Sequence, residues 1–496
     1  MGTTEQISRR GFLNKLAPRP NTEVNAFNVI APKAGLDPYI PSTQKPWDRR
    51  RVAHLLRRTS IGATPSEIDQ MLALDPATAV NQIVDTAVNA PFPAPPSWYP
   101  NNGSNDGLQK KEVIFHWFDE MRASGLREKM AFFWSNHFVT STKAYNLSSY
   151  QYQYLETLRK HALGNFKTFT YEIGLIPAML IYLDTIKNKD SGPNENYARE
   201  LLELFTMGIY DQSGQENYSQ NDISELARAF TGLRIDEPTL GYYLDDKKHD
   251  WGTKTIFGRT GQFGYDEALD IIFDERSAQI AFHVCGRIYR DFVHANIDTD
   301  VVNEMATVML ENNMELAPVL RALLASDHFF DDNFIGARFK SPVELMNGFV
   351  AEAGVILDDV GNIEMYEKTD RLGQKLFSPP NVAGWPGYQS WLSTGTLPLR
   401  WNFLSAMISG SAEYNALDLV PVAKQMSNAS DPYALSRDLA DFFLPQPLEE
   451  EEYATLTEVL LDGMPDYEWD INDQVAKTRL RGFMIYLTQL PQFQLT

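Results

Sequence analysis

Residues 194–207 constrain the fold most, because they combine a clear helical pattern with an unusual density of charge. Apolar side chains recur at positions 201, 202, 204 and 205, and Gly208 follows as a helix stop. The same segment carries three glutamates, one arginine and two asparagines. Charged groups are costly to bury without partners, so this helix is expected at a surface, in a polar network or in a site.

The spacing of the charged side chains pairs them with one another. Asn194 is placed to cap the helix, and Glu195 and Arg199 are i, i+4 neighbours. Glu203 follows Arg199 at the same spacing, and it shares a face with Glu200. Two glutamates one turn apart suit an acid/base pair or a hard divalent metal ion. Two interpretations are open at this point: a Glu–Arg–Glu ladder on a helix surface, or a carboxylate site.

The rest of the chain predicts a mainly α fold with one large multi-helix domain. A small β-hairpin or irregular insertion is expected around 233–265, with the hairpin itself near 254–263. Helices are expected to resume at 266–273 and 277–293. A long loop at 376–398 is rich in proline and glycine, and loops of this length in a compact domain are often functional.

Composition excludes several classes of protein. The 496 residues carry a formal net charge of −21, which disfavours a nucleic-acid-binding surface. No apolar run approaches the roughly 18 residues of a membrane span. Cys285 is the single cysteine, so disulfide scaffolds and cysteine-based metal sites are excluded. No phosphate loop, nucleophile elbow or organic-cofactor motif is present.

The N-terminus carries a motif similar to a twin-arginine export signal, at residues 8–13. This motif predicts a periplasmic or cell-envelope location. The apolar stretch that should follow such a signal is absent, so the cytoplasm is the alternative. We expect three parts: a motif and polar linker at 1–46, a helical domain at 47–410, and an acidic helical C-terminal region at 411–496 packed on it.

Further candidate residues lie outside the central helix. His137 falls on an apolar helix face beside Phe133 and Trp134, where a histidine is either a hydrogen-bonded core residue or a ligand. His249, Asp250 and Lys254 lie together in the irregular insertion: this is either a site or a polar turn. Trp385 and Trp391 lie in the long loop: they either stack on a ligand or close the loop onto the core.

Several segments that carry these residues resemble one bacterial family. They read LRRTSIGATP at 56–65, WSNHF at 134–138, NENYARELLEL at 194–204, LARAFTG at 226–232, HDWGTK at 249–254, KSPVE at 340–344 and PPNVAGWPG at 379–387. Together they resemble the domain-of-unknown-function family numbered 1800, over roughly residues 48–410. The resemblance implies a mainly helical fold, frequent export, and a candidate partner encoded nearby, an exported protein with a sulfatase-like fold. It implies no established activity.

We expect a polar pocket that performs acid/base or metal-assisted chemistry on an oxygen-rich, saccharide-like substrate. The expected catalytic residues are His137, Glu195, Arg199, Glu200, Glu203, His249, Asp250 and Lys254. The expected substrate-binding residues are Asn194, Lys340, Glu344, Trp385 and Trp391. The sequence does not specify a metal. The alternative is a non-enzymatic scaffold or binding partner in which the same residues form a buried structural network.

Overall fold

The computed structural model of the chain describes residues 35–101 and 106–496, and it confirms the predicted mainly α class. The described residues form 20 α-helices, one π-helix and two two-stranded antiparallel sheets. The helices are α1 (Arg49–Thr59), α2 (Pro65–Leu72), α3 (Pro76–Asn89), α4 (Asp106–Ala123), α5 (Leu126–Ser135), α6 (Ser148–Lys160), α7 (Phe166–Leu175), α8 (Pro177–Tyr182), α9 (Asn196–Glu200), α10 (Gln220–Ala229), α11 (Tyr265–Phe292), α12 (Thr299–Glu311), α13 (Leu316–Leu324), α14 (Pro342–Ala353), α15 (Asp359–Arg371), α16 (Thr396–Ser409), α17 (Val420–Ala423), α18 (Pro432–Phe443), α19 (Glu450–Leu461) and α20 (Gln474–Gln489). The strands are β1 (Leu233–Asp236), β2 (Gly241–Leu244), β3 (Lys254–Ile256) and β4 (Arg259–Gly261).

Capping residues visible in the sequence determine where several helices begin. At the start of α2, Thr64 Oγ1 accepts from the Glu67 N–H at 3.3 Å, and the Glu67 carboxylate accepts from the Thr64 N–H at 2.8 Å. Ser341 and Glu344 make the same reciprocal pair at the start of α14. These capping boxes satisfy N–H groups that have no intrahelical acceptor. Both helices therefore begin directly after a capping residue, Thr64 or Ser341.

The central charged helix is present, but it does not stay α-helical to its end. It consists of α9 followed by a π-helix, Leu201–Thr206. The Met207 N–H donates to Leu202 O at 3.2 Å, across five residues instead of four. Gly208 ends the helix with a φ of 74°, a backbone conformation that favours glycine. Short π-helical turns inside helices occur frequently at functional sites.

The irregular insertion contains two hairpins where one is predicted. β3 and β4 confirm the predicted hairpin near 254–263. β1 and β2 form a further hairpin in which Asp236 faces Gly241. Tyr242 and Tyr243 are both substantially exposed, so β2 lacks the alternation of buried and exposed residues that marks a strand in a sequence.

A cluster of buried aromatic rings anchors the π-helix. Phe138, directly after α5, packs against Phe169 of α7 with ring centroids 4.7 Å apart. Phe205 of the π-helix packs against the same Phe138 ring at 5.3 Å. Trp134 lies 5.7 Å from Phe166 in the same cluster. These rings hold the end of α5, and with it His137, against the π-helix.

The two helices predicted at 266–273 and 277–293 are one element, α11, with a kink. Arg276 interrupts the helical backbone with φ −131° and ψ 19°. Its guanidinium stacks over the Phe257 ring at 4.4 Å and donates to Asn217 O at 2.9 Å. The predicted break is therefore real, but it bends a continuous helix and does not separate two helices. The kink directs the second half of α11 toward the π-helix.

The two ends of the described chain pack onto the helices. The Tyr39 N–H donates to Ala325 O at 2.8 Å, and the Thr496 N–H donates to Arg338 O at 2.8 Å. The division of the helical region at 410 stays a prediction. In the described part of the chain, no helix has both the length and the apolar character needed to cross a membrane. The twin-arginine-like motif at 8–13 lies outside the described residues.

Candidate functional site

A cavity of about 140 Å³ lies between the π-helix, the second half of α11 and the long loop. Besides Tyr210, its charged and polar lining consists of two carboxylates, two histidines and two arginines: Glu203, Asp211, His137, His283, Arg287 and Arg290. Its apolar lining consists mainly of Leu204, Met207, Ile209, Phe282, Ile297, Val382 and Ala383. An apolar wall with a few convergent polar groups is the usual composition of a small-ligand site.

Both histidines of the cavity cap the end of the π-helix. His137 Nε2 lies 2.9 Å from Phe205 O, and His283 Nε2 lies 3.4 Å from Leu204 O. A carbonyl oxygen only accepts hydrogen bonds, so each Nε2 carries the hydrogen. The last carbonyls of a helix have no intrahelical donor, and here the two imidazoles supply one. The ring centroids lie 6.4 Å apart.

The remaining ring nitrogen of His137 has no such partner. Its Nδ1 atom is buried and makes no hydrogen bond to any described residue. Burial, followed by the charge of Arg287, lowers the pKa of His137 well below its usual value. The same two causes lower the pKa of His283 to about 3. Both imidazoles are therefore neutral at pH 7, and each Nδ1 holds a lone pair.

The two arginines of the cavity are poorly compensated. Arg287 donates from Nη2 to Asn136 O at 3.1 Å, and Arg290 Nε is buried with no hydrogen-bond acceptor among the described residues. Neither arginine has a carboxylate oxygen of a described residue within the 4.0 Å of an ion pair. Burial lowers the pKa of Arg287 to about 10. The cavity therefore has an excess of positive charge on its α11 side.

The long loop forms one wall of the cavity and is attached beside His137. Asn136 Oδ1 accepts from the Trp385 N–H at 2.7 Å, and Asn136 Nδ2 donates to Trp385 O at 3.2 Å. Gly384 has a φ of 79°, and a Cβ there would lie 2.1 Å from Asn136 Oδ1, so glycine is required. This attachment positions Val382 and Ala383 in the wall.

The carboxylates of the cavity are held by local partners. Glu203 lies 3.4 Å from Arg199 Nη1. Burial, and then the contact with Glu203, raise the pKa of the Tyr218 hydroxyl. Asp211 accepts from two backbone N–H groups of its own turn, those of Ser213 and Gln215, at 2.8 and 2.9 Å. Both carboxylates are therefore already hydrogen-bonded, unlike the arginines opposite them.

The predicted Glu–Arg–Glu ladder exists, and its first half is exposed to solvent. Arg199 Nη2 donates to Glu195 at 2.8 Å, with 28% and 35% of the two side chains exposed. Ser224 Oγ also donates to Glu195, at 2.6 Å. Glu200 is fully buried, and it does not line the cavity. Asn194 Oδ1 accepts from a backbone N–H at the helix start, as expected of a cap.

His249, Asp250 and Lys254 form a separate group around Arg228 of α10. The Asp250 carboxylate accepts from Arg228 Nε at 2.7 Å and from Nη2 at 3.3 Å. His249 Nδ1 donates to Thr231 O at 2.8 Å. The Lys254 ammonium donates to two backbone carbonyls, and burial lowers its pKa. We call these four side chains the His249 group, and none of them lines the cavity.

Lys340 and Glu344 lie in a third group at the start of α14. The Glu344 carboxylate contacts Lys129 and lies 3.4 Å from Arg338, and these charges hold its pKa far below the usual range against the effect of burial. The Lys340 ammonium lies 4.3 Å from the Phe493 ring centroid. Burial lowers the pKa of Lys340 to about 8. The substrate-binding role predicted for both residues stays a prediction.

The two tryptophans of the long loop are both buried, with 6% and 7% of Trp385 and Trp391 exposed. Trp385 is held through its backbone by Asn136, and Trp391 O accepts from Thr396 Oγ1 at 3.0 Å. Their burial favours the interpretation that they close the loop onto the core over the one in which they stack on a ligand.

The sequence interpretation missed four of the carboxylate, histidine and arginine residues of the cavity: Asp211 and, on α11, His283, Arg287 and Arg290. The three on α11 form a pattern. A detectable signal existed, because spacings of four and three residues place them on one face of a helix. That face is otherwise occupied by apolar residues, and a basic stripe on a core helix indicates either buried ion pairs or a site. Asp291, four residues after Arg287, is the only carboxylate in the second half of that helix, and it lies 3.5 Å from Arg338 Nη2.

Comparison with known proteins identifies the family of the chain but no individual relative. No curated protein and no solved structure matches the chain. Among the described residues, no group of three or more His, Cys, Asp or Glu side chains is arranged to hold a metal ion. The model of the family described as "Protein of unknown function (DUF1800)" matches residues 54–495, which extends the expected range of 48–410 to include the acidic C-terminal region. The chain therefore belongs to the DUF1800 family of proteins of unknown function.

Proposed function

We propose that the cavity binds a small, oxygen-rich anion and that His137 and His283 exchange a proton with it. The observation that carries this proposal is the combination of a buried, unpartnered Nδ1 atom on His137 with two arginines that have no carboxylate partner. Unpaired buried polar atoms cost roughly 1–3 kcal/mol each, so a bound ligand that accepts and donates here would be stabilised.

Anion binding would change the acidity of the two histidines. In the empty cavity, burial and the charge of Arg287 keep both imidazoles neutral. A negative group beside Arg287 and Arg290 opposes the field of the arginines, and it raises the pKa of both histidines. Because each Nε2–H is committed to a backbone carbonyl, Nδ1 is the atom that gains and loses the proton. Binding therefore prepares an acid/base group next to the ligand.

The apolar wall restricts the class of ligand. Leu204, Phe282 and Ile297 face the same cavity as the arginines. A ligand that fits both sides carries a carboxylate, phosphate or sulfate group and also a less polar face. Acidic and phosphorylated sugars have this combination, since the C–H face of a sugar ring is apolar. The proposed substrate class is thus an oxygen-rich anion of the saccharide type.

Isothermal titration calorimetry with glucuronate, glucose 6-phosphate and neutral glucose tests this proposal at constant ionic strength. We expect the two anions to bind, with net proton uptake that is detected by repeating the titration in buffers of different ionisation enthalpy. Arg287→Met is expected to weaken binding about tenfold or more, because it removes a charged donor. Arg259→Met is the matched control, since Arg259 is half-exposed and paired with Asp274 and Glu275. Equal affinities of the two variants would contradict the proposal.

A scaffold function is the second candidate, and the saturation of the other polar groups supports it. The ladder from Glu195 to Glu203 and the His249 group both hold their charges through protein partners. In that function the cavity would bind none of the three ligands, and the substitution Arg287→Met would have no effect on any titration. Export by the twin-arginine route and pairing with an exported sulfatase-like protein belong to both candidates. Cell fractionation tests the export.

A further inference from the structure

Arg58 of α1 is a fully buried arginine with almost no partners. None of its surface is exposed, and its single hydrogen bond runs from Nη2 to Phe334 O at 3.1 Å. Its Nε and Nη1 atoms are buried and have no acceptor among the described residues. Burial, and then the charge of Arg338, lower the pKa of Arg58 to about 9.

Arg57, the preceding residue of the same helix, is a buried arginine whose charge is compensated by a partner. Arg57 is also buried, but its Nε atom lies 2.6 Å from Glu352 Oε1, and that carboxylate is 4% exposed. Replacing water around a buried charge requires a partner of opposite charge or a set of hydrogen bonds. Arg57 has both kinds of partner, whereas Arg58 has one backbone carbonyl.

Two further arginines near Arg58 also carry buried N–H groups without an acceptor. These are Arg290 Nε and Arg338 Nη1, and we call Arg58, Arg290 and Arg338 the arginine cluster. Arg338 Nη2 lies 3.5 Å from Asp291 Oδ1 and 3.4 Å from Glu344 Oε1. Each of the three guanidinium groups therefore leaves at least one buried N–H unsatisfied among the described residues.

The arginine cluster is also short of negative charge. Glu344 is shared between Arg338 and Lys129, and Asp291 is 29% exposed at its side chain. Two carboxylates thus face four cations, the three arginines of the cluster and Lys129. Native proteins rarely leave buried polar groups unpaired, and a cluster of such groups points to a missing ion or ligand.

The long loop contacts this cluster as well as the cavity. Tyr388 donates from its hydroxyl to Arg290 O, and its backbone has a φ of 51°, in the left-handed region that non-glycine residues rarely adopt. Arg338, Asp291, Arg290 and Arg58 all influence the pKa of the Tyr388 hydroxyl, which burial raises to about 12. Backbone strain of this kind occurs at ligand clamps. The loop therefore contacts Arg290 directly, and Tyr388 lies close enough to Arg58 and Arg338 to feel their charges.

We propose that the arginine cluster binds a second oxyanion, a phosphate, sulfate or carboxylate group, through the unsatisfied N–H groups of Arg58, Arg290 and Arg338. Hydrogen bonds from a guanidinium to an oxyanion are charge-assisted and about twice as strong as neutral ones. This site goes beyond the proposed function, since it holds whether or not the histidines exchange a proton. Its occupant is either a free ion or the anionic end of a ligand that extends from the cavity past Arg290.

Equilibrium dialysis with inorganic phosphate and with glucose 6-phosphate tests the second site, after the protein has been freed of anions by dialysis. The variants are Arg58→Met and, as the matched control, Arg57→Met. We expect Arg58→Met to weaken binding at least about tenfold and Arg57→Met to keep the wild-type affinity. We also expect Arg58→Met to have a melting temperature equal to or above that of the wild type without anions, because it removes an unpaired buried charge.

The outcomes separate the two sources of the anion. Loss of phosphate binding in Arg58→Met identifies a free ion, whereas a loss confined to glucose 6-phosphate identifies the anionic end of a cavity ligand. Wild-type affinity of Arg58→Met for both ligands would overturn the proposal. Arg287→Met, which alters only the cavity, distinguishes this failure from failure of the proposed function. If Arg287→Met weakens binding and Arg58→Met does not, the second site is wrong and the proposed function stands. Should Arg58→Met not fold, Arg58→Lys keeps a charge while losing the planar guanidinium and its N–H groups, and the same loss of binding is expected.

Discussion

The cavity and the His249 group contain the same kinds of side chain, yet their hydrogen bonding differs completely. In the His249 group, Asp250 neutralises Arg228 through two N–H groups, and Lys254 and His249 donate to backbone carbonyls. In the cavity, an imidazole nitrogen and an arginine nitrogen are buried without partners. A charged cluster that satisfies itself stabilises the fold. One that leaves donors and acceptors free has capacity for a ligand.

The difference is also one of position. The His249 group joins α10 to the irregular insertion, so its contacts connect segments that are close in the sequence. The cavity is enclosed by segments far apart in the chain, from α5, the π-helix, α11 and the long loop. Each of these segments is held by its own contacts, such as the Asn136–Trp385 pair. The cavity can therefore keep unsatisfied groups without unfolding the elements around it.

The largest effect on stability is expected in the His249 group. Asp250→Asn removes one of the two carboxylates that accept from Arg228, and only Glu225, 3.0 Å from Nη1, remains to offset the guanidinium and the nearby Lys254. We expect the free energy of unfolding to fall by about 1.5–2 kcal/mol, because hydrogen bonds to charged groups contribute about 1.5–3 kcal/mol and both side chains are partly exposed. Urea denaturation measures this change. Asp274→Asn is the control, because it disrupts a half-exposed pair with Arg259. A loss no larger than that of the control would place the His249 group among ordinary surface ion pairs.

A smaller, pH-dependent effect is expected from the cavity. The folded protein holds the pKa of His283 at about 3, below the unfolded value near 6.5. As the pH falls below about 6.5, the unfolded chain binds a proton that the folded chain refuses, so stability decreases toward pH 3. His283→Gln is expected to reduce the slope of unfolding free energy against pH by up to about 1.4 kcal/mol per unit between pH 4 and 6.

Exposed His116→Gln serves as the control for this slope, since 66% of that side chain is exposed. An unchanged slope in His283→Gln would contradict the inference that the cavity holds this imidazole neutral. Bound anion should flatten the wild-type curve by raising the pKa of both cavity histidines, whereas the His283→Gln curve should respond less. This pair of measurements connects the stability experiment to the calorimetric one.

The smallest effect is expected on the exposed ladder. Arg199→Met removes one contact with Glu195, where both side chains are about a third exposed, and one with the more buried Glu203. Exposed i, i+4 pairs contribute about 0.3–0.5 kcal/mol each, and salt screens them. We expect a loss of roughly 0.5–1 kcal/mol by urea denaturation, reduced in 1 M sodium chloride. A salt-independent loss above 2 kcal/mol would show that the ladder is a buried network.

Local features of the structure could be predicted from the sequence, because they depend on neighbouring residues. Capping by Thr64 and Ser341, the pairing of Glu195 with Arg199, and the hairpin that follows Lys254 all depend on short spacings. The family resemblance rests on blocks of the same local kind. Such local features predict which segments are helical, and they place His137 and Glu203 within those segments.

The assembly of the cavity could not be predicted, because it depends on distant segments and on a backbone irregularity. Nothing in the spacing of Leu201 to Thr206 distinguishes a π-helix from an α-helix. His283 contacts Leu204 from the part of α11 that follows the bend at Arg276, where the sequence suggests a break between two helices. The motif residues Glu200 and Asp250 lie outside the cavity lining, whereas Arg287 and Arg290, which are in no motif, line it.

The π-helix also bears on how the family can vary. A π-helical turn contains one residue more than an α-helical turn, so the chain after it is rotated by about 100° relative to an uninterrupted helix. Deleting one residue from Leu201–Thr206 would restore α-helical bonding and turn the carbonyls of Leu204 and Phe205 away from both imidazoles. The presence of the cavity is thereby tied to the length of this segment, and we expect any relative that lacks the cavity to show a gap of one residue here.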